Sequence, residues 1–553
     1  MENFTHVDLD KGRRLLRVAE AGATKAALLA VLLTAFGPPV QAQENGAEDG
    51  GAHQAPLYGN LGPLTRSVTT DSELAQAYFN EGLLFMYAFG TSSATEAFKA
   101  AQAEDSECAA CFWGEAWSLA PYLNGGMPPG DEREAHAAIA KAKELADAGH
   151  ASEVEQALID AFMVRFEGEP DRDRRRLLDS LYAVAMEEVA ARFPDDLDVQ
   201  TLYGEAWMLL RPRRGDVDLN AADVQKIKRA LEGVMSADIS HPGACHLYIH
   251  LVEASQDPSL AEDCADLLGS QIAVSHIRHM PSHIYMNIGR WGDAVRGNQQ
   301  AWHADQKAGH GGPPGVYPSH NLHMLINAAV MDGQSAVAMQ AAKDLARHPG
   351  PWAVYVPLTH AAFGRWTEIL EADTSPEGPM ETAGWAFARG MARLRTGDPD
   401  GAAAELEALD RVLAEDVGED AMFRFSPMSE VIGIPRSILA GEIAHADGRS
   451  DEAVELLRGG VEIEDGLVYS EPRAWHMPVR HHLGAVLLES GRPAEAADVF
   501  RGALDDLPNQ GWALFGLEQA LRDLGEHEEA DAVWTEFTEF WSRADVWLMS
   551  SRF

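Results

Sequence analysis

The sequence predicts an all-α fold built as a stack of helical hairpins. Small and aromatic residues recur at intervals of about 34 residues, which is the period of a two-helix repeat. Period-2 alternation of apolar residues bounded by turn signals, the mark of a strand, is almost absent. Each hairpin buries only part of its apolar surface alone, and stacking on its neighbours completes the core. A chain of 553 residues with 46% hydrophobic content can supply such a core.

The N-terminal segment has the features of an export signal. A basic stretch, KGRRLLR, precedes an apolar run of about 11 residues, which is too short to span a bilayer. Val40-Gln41-Ala42 then fits the small-x-small rule for signal-peptidase cleavage. We predict a signal peptide over 1–42 with cleavage after Ala42, a periplasmic or extracellular protein, and no membrane span. Paired arginines in the leader leave the twin-arginine route open beside the general secretory route.

The chain after the cleavage site is polar, and the whole molecule is strongly acidic. Residues 43–71 are rich in Gly and Ala and are expected to form a flexible linker. The formal charge is −42, from 86 acidic against 44 basic residues. A surface of this charge repels a phosphate backbone, so we expect no nucleic-acid partner.

The repeat is clearest near the C-terminus, where Gly484, Ala496, Phe500 and Pro508 are spaced as in a helix–turn–helix unit. The small residues mark where two helices touch, and the aromatic marks where the second helix packs on the first. The same scheme occurs at Gly82, Ala94 and Phe98, at Gly390 and Ala402, at Gly441 and Ala453, and at Ala530 and Trp534.

This pattern resembles the tetratricopeptide repeat (TPR) family over most of residues 72–545 and is degenerate in the middle. The resemblance implies an α-solenoid whose concave groove holds a peptide or a partner protein. We divide the chain into N-terminal TPR-like repeats over 72–235, histidine-rich central repeats over 236–345, and C-terminal TPR repeats over 346–553.

Histidines are concentrated in one part of the chain, since residues 241–323 hold ten of the 21. They fall in three blocks with the sequences HPGACHLYIH, HIRHMPSHIY and YPSHNLHML. Proline is favoured in the first turn of a helix, so Pro242, Pro281 and Pro318 each predict the start of the first helix of a hairpin. The tripeptide PSH occurs in the second block and recurs about one repeat later in the third.

These blocks predict a metal site. First helices of successive hairpins lie side by side, roughly 8–10 Å apart, and residues i and i+3 or i+4 share a face, so the histidines are expected to converge. Imidazole suits zinc, copper and iron, and a nearby carboxylate adds manganese. The pairing of His279 with His283 depends on the loop, because Pro281 separates them. The candidate ligands of this transition metal are His246, His250, Glu253, His279, His283, His320 and His323.

Other polar residues are candidates for orienting the ligands or a substrate. In the central repeats they are His241, Tyr248, Tyr285, Tyr317 and Asn321. The C-terminal stretch EPRAWHMPVRHH adds Glu471, Trp475 and His476, with His481 and His482 behind them. These close the groove from the other end only if the superhelix curls enough, and a purely structural role is the simpler expectation for them.

The histidine blocks and the stretch from Glu471 to Arg492 are similar to a group of uncharacterised exported bacterial TPR proteins. The resemblance implies a common site in a TPR solenoid and gives no reaction.

The four cysteines form two pairs in the sequence. Cys108 and Cys111 predict a local disulfide, a metal pair or buried thiols; Phe112 stands where a c-type haem motif needs histidine, so no haem is expected. Cys245 and Cys264 predict a helix-to-helix disulfide, or else Cys245 is a soft ligand beside the first histidine block.

The function predicted is an exported TPR protein with a multi-histidine metal site, acting as a metal-dependent hydrolase or oxidase. No catalytic residue is assigned. The alternatives are a periplasmic interaction scaffold without catalysis and a metal storage or delivery protein. The same histidines also leave open a hydrogen-bonded groove for a peptide or anionic ligand, or packing roles alone.

Overall fold

The computed structural model describes residues 55–553 apart from 129, 168–171, 212–214 and 216. The predicted signal peptide, residues 1–42, lies outside the described residues, as does the start of the predicted linker. Regular structure in the described part is helical, except for a two-stranded antiparallel hairpin formed by β1 (Met422–Phe423) and β2 (Ser426–Pro427). The predicted all-α, TPR-type solenoid is confirmed. None of the described helices is long and apolar enough to cross a membrane.

Antiparallel helices follow one another along the chain with short connections. The helices of the N-terminal repeats are α1 Glu73–Tyr87, α2 Thr91–Glu104, α3 Ala109–Leu119, α4 Asp131–Asp147, α5 Glu153–Met163, α6 Arg172–Arg192, α7 Leu197–Met208 and α8 Ala222–Ala237. The central repeats contain α9 Pro242–Val252, α10 Glu262–Leu268, α11 Ser275–His279, α12 Pro281–Asn287, α13 Trp291–Lys307, α14 Pro318–Met331 and α15 Ser335–Leu345.

The C-terminal repeats continue in the same way. Their helices are α16 Tyr355–Ala362, α17 Trp366–Glu371, α18 Gly378–Arg395, α19 Pro399–Arg411, α20 Met428–Ala446, α21 Ser450–Gly466, α22 Val479–Glu489, α23 Pro493–Asp506, α24 Gly511–Leu524 and α25 His527–Phe540. Short 3₁₀ turns lie at Pro258–Ala261, Pro351–Val354 and Trp541–Arg543, and one π turn lies at Val412–Asp416.

The repeat residues pack as the sequence predicts. The ring of Phe98 in α2 lies against Gly82 in α1 and Gly114 in α3, where a Cβ would come within 2.6 Å of it. Phe500 in α23 packs in the same way between Gly484 in α22 and Gly516 in α24. A side chain at any of these glycines would push the helices apart, so the small residues set the hairpin spacing.

The solenoid curls until its C-terminal repeats meet the central ones. Trp512 Nε1 in α24 donates to the carbonyl of Val330 in α14 at 2.9 Å. Arg543 forms an ion pair with the buried carboxylate of Asp332 at 2.6 Å. These contacts join residues about 200 positions apart in sequence, so the stack closes on itself beyond nearest-neighbour contacts.

The prediction of a flexible linker over 43–71 is wrong for its described part. Residues 55–71 are not helical but are held against the repeats by specific contacts. Arg66 forms ion pairs with Asp196 and Asp198 at 2.8 and 2.9 Å. Leu61 is 2% exposed, and its carbonyl accepts from the amide of Ala273. A polar, Gly-rich composition did not reveal these anchors, because each depends on a partner far along the chain.

Both cysteine pairs are disulfides in the structure. Cys108–Cys111 joins the N-cap of α3 to its first turn, and Cys245–Cys264 joins α9 to α10. Of the alternatives that the sequence left open, Cys245 is therefore excluded as a thiolate ligand, and the first pair is neither a metal pair nor free thiols.

Candidate metal centre

Six buried or half-buried histidines and one glutamate come together near the middle of the molecule. This histidine cluster consists of His246, His250 and Glu253 from α9 and its C-terminal end, His276, His279 and His283 from α11 and α12, and His320 from α14. Its ring centroids follow one another at 4.9 Å (His246 to His250), 5.7 Å (His250 to His283) and 4.6 Å (His279 to His320). The expected convergence of imidazoles from separate helices is present.

The second histidine block lies on one nearly continuous helix. The expectation that Pro281 starts a first helix is correct for α12, but α11 runs directly into it, because Met280 has helical dihedrals of −51° and −38°. His276, His279 and His283 are therefore at i, i+3 and i+7 and lie on one face. His279 and His283 pair through this helix rather than through a loop.

His276 belongs to the cluster although it was not among the predicted ligands. It is 1% exposed, and neither ring nitrogen has a hydrogen-bond partner among the described residues. Its ring centroid lies 5.0 Å from that of His246 and 5.6 Å from that of His279. A buried polar atom without a partner costs roughly 1–3 kcal/mol, so two on one ring indicate a site with another occupant.

Four of the six histidines in the cluster turn Nδ1 toward a hydrogen-bond acceptor. His246 Nδ1 donates to the carbonyl of Tyr87 at 2.6 Å. His279 Nδ1 donates to Asn298 Oδ1 at 2.8 Å, and the amide orientation is fixed because Asn298 Nδ2 donates to the carbonyl of Ala294. In both rings the proton is therefore on Nδ1 and the lone pair is on Nε2.

Glu253 accepts hydrogen bonds from the Nδ1 atoms of two further histidines. Its Oε1 accepts from His250 Nδ1 at 2.8 Å, and its Oε2 accepts from His283 Nδ1 at 2.5 Å. Glu471 Oε2 lies 3.0 Å from the same nitrogen of His283. A carboxylate or carbonyl on the outer nitrogen is the usual partner of a metal-binding histidine, because it fixes the ring and makes Nε2 more basic.

The ligand atoms fall into two triads with a bridge between them. His246, His250 and His276 form the first triad, and His279, His283 and His320 form the second. His250, Glu253 and His283 form a third group that spans the two. Within each group the ligand atoms lie within 4.8 Å of one another, which is close enough for small shifts to bring them around one ion.

Charge in the cluster is concentrated on His283. Burial lowers its pKa, but Glu471 and Glu253 outweigh that effect and raise it to about 10. Burial and the neighbouring histidines hold the pKa values of His276, His279 and His320 well below the usual range, so these rings are neutral. His283 Nε2 lies 2.7 Å from His279 Nε2 and donates its proton there. A metal ion bound to both nitrogens would replace that proton.

Two aromatic residues with strained backbones pack on the cluster. Phe89, at φ 56°, stacks parallel to His250 with the ring centroids 5.7 Å apart. Tyr317, at φ 57°, meets His276 edge-on at 5.1 Å, and its hydroxyl hydrogen-bonds that of Tyr122. Left-handed backbone at bulky residues costs of order 1–3 kcal/mol and is concentrated at functional sites.

The predicted ligand His323 lies outside the cluster. Its ring packs on Tyr355 with centroids 4.3 Å apart and on Trp352 at 5.6 Å. Three residues turn a helix by about 300°, so His323 in α14 points away from His320 by roughly 60°. The sequence predicted that both histidines would be ligands, but only His320 is in a ligand group, and His323 packs on Tyr355 instead.

Most of the predicted orienting residues in the central repeats have structural roles. His241 caps α9 by accepting from the amide of Ala244, and its other nitrogen lies 3.2 Å from Asp198. The hydroxyls of Tyr248 and Tyr285 donate to Glu232 and Asp266. Each tyrosine follows a cluster histidine by two residues, which places it on the opposite side of its helix.

Asn321 also lies away from the histidines, since it donates to Asp305 and to the carbonyl of Val316. Of the five orienting residues predicted in the central repeats, Tyr317 contacts the cluster.

The C-terminal stretch reaches the cluster because the solenoid curls. Glu471 contacts His283 directly, while Trp475 and His476 are buried beside Tyr355. His481 bonds Gln510, and His482 donates to Glu442 at 2.6 Å. The last two histidines thus stabilise the C-terminal repeats, as the simpler expectation had it.

Besides His276, two residues that contact the cluster were not predicted from the sequence, namely Phe89 and Asn298. The i, i+3, i+7 spacing of the second block was a usable signal for His276. The others stand in different repeats with no local motif, and only the fold brings them near the histidines.

The fold and the site together define a TPR-type solenoid that encloses a histidine cluster. No family model matches the chain, and no curated protein matches it. Solved structures with a similar arrangement include MamA of AMB-1, at 20% identity over 40% of this chain and 96% of that one, with a TM-score of 0.20. Yeast Tom70 has 10% identity over 84% and 90% of the two chains, with a TM-score of 0.26.

A third similar structure is Cut9 in the APC/C Cut9–Hcn1 hetero-tetramer, with 13% identity over 81% and 76% and a TM-score of 0.29. At these identities and TM-scores the likenesses carry no conclusion about function.

Proposed function

We propose that this protein is a metalloenzyme that holds two transition-metal ions in the histidine cluster. Each triad would supply three imidazole nitrogens to one ion and leave a further position open for water or substrate. Glu253 would link the two ions through its hydrogen bonds to His250 and His283. The two triads adjoin, since the rings of His276 and His279 are 5.6 Å apart.

The observation that supports the proposal best is the set of acceptors on the Nδ1 atoms. Four rings from two separate helical segments, His246, His250, His279 and His283, each donate Nδ1–H to an outer acceptor. Histidines that serve only in packing have no reason to share one tautomer. This arrangement directs Nε2 of each ring toward the centre; a bound metal ion would take the place of the proton on Nε2 of His283.

The donor set favours copper, zinc or iron over manganese. Six imidazole ligands suit these ions, while manganese prefers oxygen ligands. Glu253, the one carboxylate in the ligand groups, already has both oxygens engaged by histidines. The manganese alternative that the sequence left open therefore has less support.

The kind of ion decides the kind of reaction. Zinc in a three-histidine site lowers the pKa of its bound water and supports hydrolysis, whereas copper or iron supports oxidation. His320 is the least buried histidine of the cluster, and the partly exposed Tyr317, which precedes α14, contacts His276 and Tyr122. We propose this side as the entry for the substrate, with the tyrosine hydroxyls positioned to bind it.

Metal content of purified protein tests the proposal. We expect about two ions per chain in the wild type and loss of about one in His276→Ala, because that ring completes the first triad. His303→Ala changes an exposed histidine outside the cluster and serves as the control. Both variants are checked by circular dichroism, and elemental analysis measures the ions. Equal metal content in the His276→Ala and His303→Ala proteins would contradict the assignment.

The alternatives give different outcomes in the same preparation. A storage or delivery protein would release its ions readily to a chelator and show no turnover with hydrolytic or oxidative substrates. An interaction scaffold would be folded and without metal, and would keep its partner in the presence of chelators.

We also propose that the protein is exported. The two disulfides fit an oxidising compartment, where the predicted signal peptide would deliver the chain. Mass spectrometry of the mature protein from its native host is expected to find an N-terminus at Gln43. Intact residues 1–42 in the folded protein would overturn this.

A further inference from the structure

A second group of polar residues, all buried except the partly buried Arg424, lies beside the histidine cluster. We call it the Arg424 cluster; its members are Arg424, Tyr355, His323, His476 and Trp475. Atoms that have no hydrogen-bond partner among the described residues are Arg424 Nε, the Tyr355 hydroxyl, Trp475 Nε1 and both ring nitrogens of His323 and His476. Seven such atoms in one place are unusual in a folded protein.

These side chains are neighbours. The ring centroids of His323 and Tyr355 are 4.3 Å apart, those of Tyr355 and His476 are 5.6 Å apart, and those of Trp475 and His476 are 6.2 Å apart. Arg424 lies in the turn between β1 and β2 with a φ of 59°. After burial, its charge is the main influence on the pKa of the His323 ring and of the Tyr355 hydroxyl, which places it beside both. Four separate segments therefore bring polar atoms into one place, namely α14, α16, the turn between β1 and β2, and the stretch before α22.

The Arg424 cluster is rich in donors and carries positive charge. Arg424 Nε–H, the Tyr355 hydroxyl and Trp475 Nε1–H are donors, and each neutral histidine adds one N–H. The guanidinium of Arg424 donates to the backbone carbonyl of Glu471 but forms no ion pair with a carboxylate of the described residues. The complement of several donors around a cation is an anion with several acceptor oxygens.

The Arg424 cluster adjoins the histidine cluster through two connections. Glu471 accepts from Arg424 with its carbonyl and contacts His283 with its carboxylate. His323 and His320 are three residues apart on α14. A molecule held at Arg424 would thus reach toward His320, the least buried histidine of the second triad.

We propose that the Arg424 cluster binds the carboxylate or phosphate group of a small anionic substrate and holds the rest of that molecule at the histidine cluster. The substrate role rests on the proposed function, whereas the binding of an anion needs no metal. Arg424 and the Tyr355 hydroxyl are the specificity-determining groups, and Trp352 packs against His323 at the border of the site.

Calorimetric titration of metal-stripped protein with benzoate, acetate and inorganic phosphate tests the inference, with benzamide as the uncharged analogue of benzoate. We expect saturable binding of at least one anion, at least tenfold weaker binding of benzamide, and a tenfold or greater loss of anion affinity in Arg424→Gln. Benzoate against phosphate distinguishes a carboxylate substrate from a phosphorylated one.

Two further variants serve as controls, one for a folding defect at position 424 and one for the loss of an arginine elsewhere. Arg424→Gly removes the side chain at a left-handed position that glycine adopts without strain, so it folds and still loses the anion. Arg458→Gln changes an exposed arginine in α21 and is expected to bind like the wild type. Equal anion affinity in the wild type and both Arg424 variants, or no saturable binding at all, would overturn the inference and leave buried water as the occupant.

Metal analysis of the wild type and the Arg424 variants before the metal is removed separates the two proposals. Arg424 variants that retain their ions but lose the anion support the anion site. Anion binding by a chain that never acquires metal would refute the metalloenzyme and the substrate role, but not the anion site itself.

Discussion

At the scale of single residues, hydrogen bonds decide which histidines can act as ligands. Acceptors fix the proton on Nδ1 of His246 and His279. His323 has no such acceptor and belongs to the Arg424 cluster. All three are buried histidines in the same region of sequence, so burial alone does not distinguish them. What distinguishes the candidate ligands is a hydrogen-bond acceptor on the outer nitrogen, Nδ1.

Glu253→Gln tests this point. Glutamine has one acceptor oxygen, so its NH₂ group would face the Nδ1–H of either His250 or His283. We expect metal affinity to fall about 10–100-fold, because one ring loses its orienting partner. Competition with a chelator measures the affinity.

The matched control is Glu232→Gln, which alters a carboxylate in α8 that accepts from Tyr248 on the side of α9 away from the cluster. It is expected to leave metal affinity unchanged. An equal effect of the two substitutions would show that Glu253 has no special part in orienting ligands.

At the scale of helices and hairpins, close contacts between small residues and aromatic rings set the geometry that brings α9, α11, α12 and α14 together. Phe98 and Phe500 occupy equivalent places at opposite ends of the stack. Both were predicted from their spacing, because the TPR pattern is local and repeats in register.

Gly82→Ala tests the packing within a hairpin. The added methyl group would lie 2.6 Å from the ring of Phe98, and we expect a loss of about 1–3 kcal/mol in the free energy of unfolding. Gly459→Ala in α21 is the control, since nothing lies within 4 Å of its Cβ position, and it is expected to gain roughly 0.4–1 kcal/mol. Urea unfolding compares the two; a stable Gly82→Ala protein would argue against the proposed spacing role.

At the scale of the whole molecule, the curl of the solenoid determines whether the histidine cluster is open or covered. Without the contacts of Trp512 and Arg543 to the central repeats, the histidines would line an open groove of the kind the sequence predicted. With them, residues near Glu471 cover the cluster and add a carboxylate to His283.

The sequence predicted the all-α class, the repeat register at both ends and the convergence of the histidine blocks. Each of these follows from local periodicity or from the stacking of neighbouring repeats. It did not predict the anchors of residues 55–71, the acceptor Asn298 or the position of Arg424. These depend on contacts between residues far apart in the chain, for which a single sequence carries no period.

X-ray absorption at the edge of the bound metal tests the central claim most directly, because it reports the ligands of the ion in the folded protein. The account predicts about two ions per chain, each surrounded mainly by imidazole nitrogens at about 2.0–2.1 Å if the ion is zinc. A folded protein with well below one ion per chain, or with ions bound only by carboxylate oxygens, would contradict it.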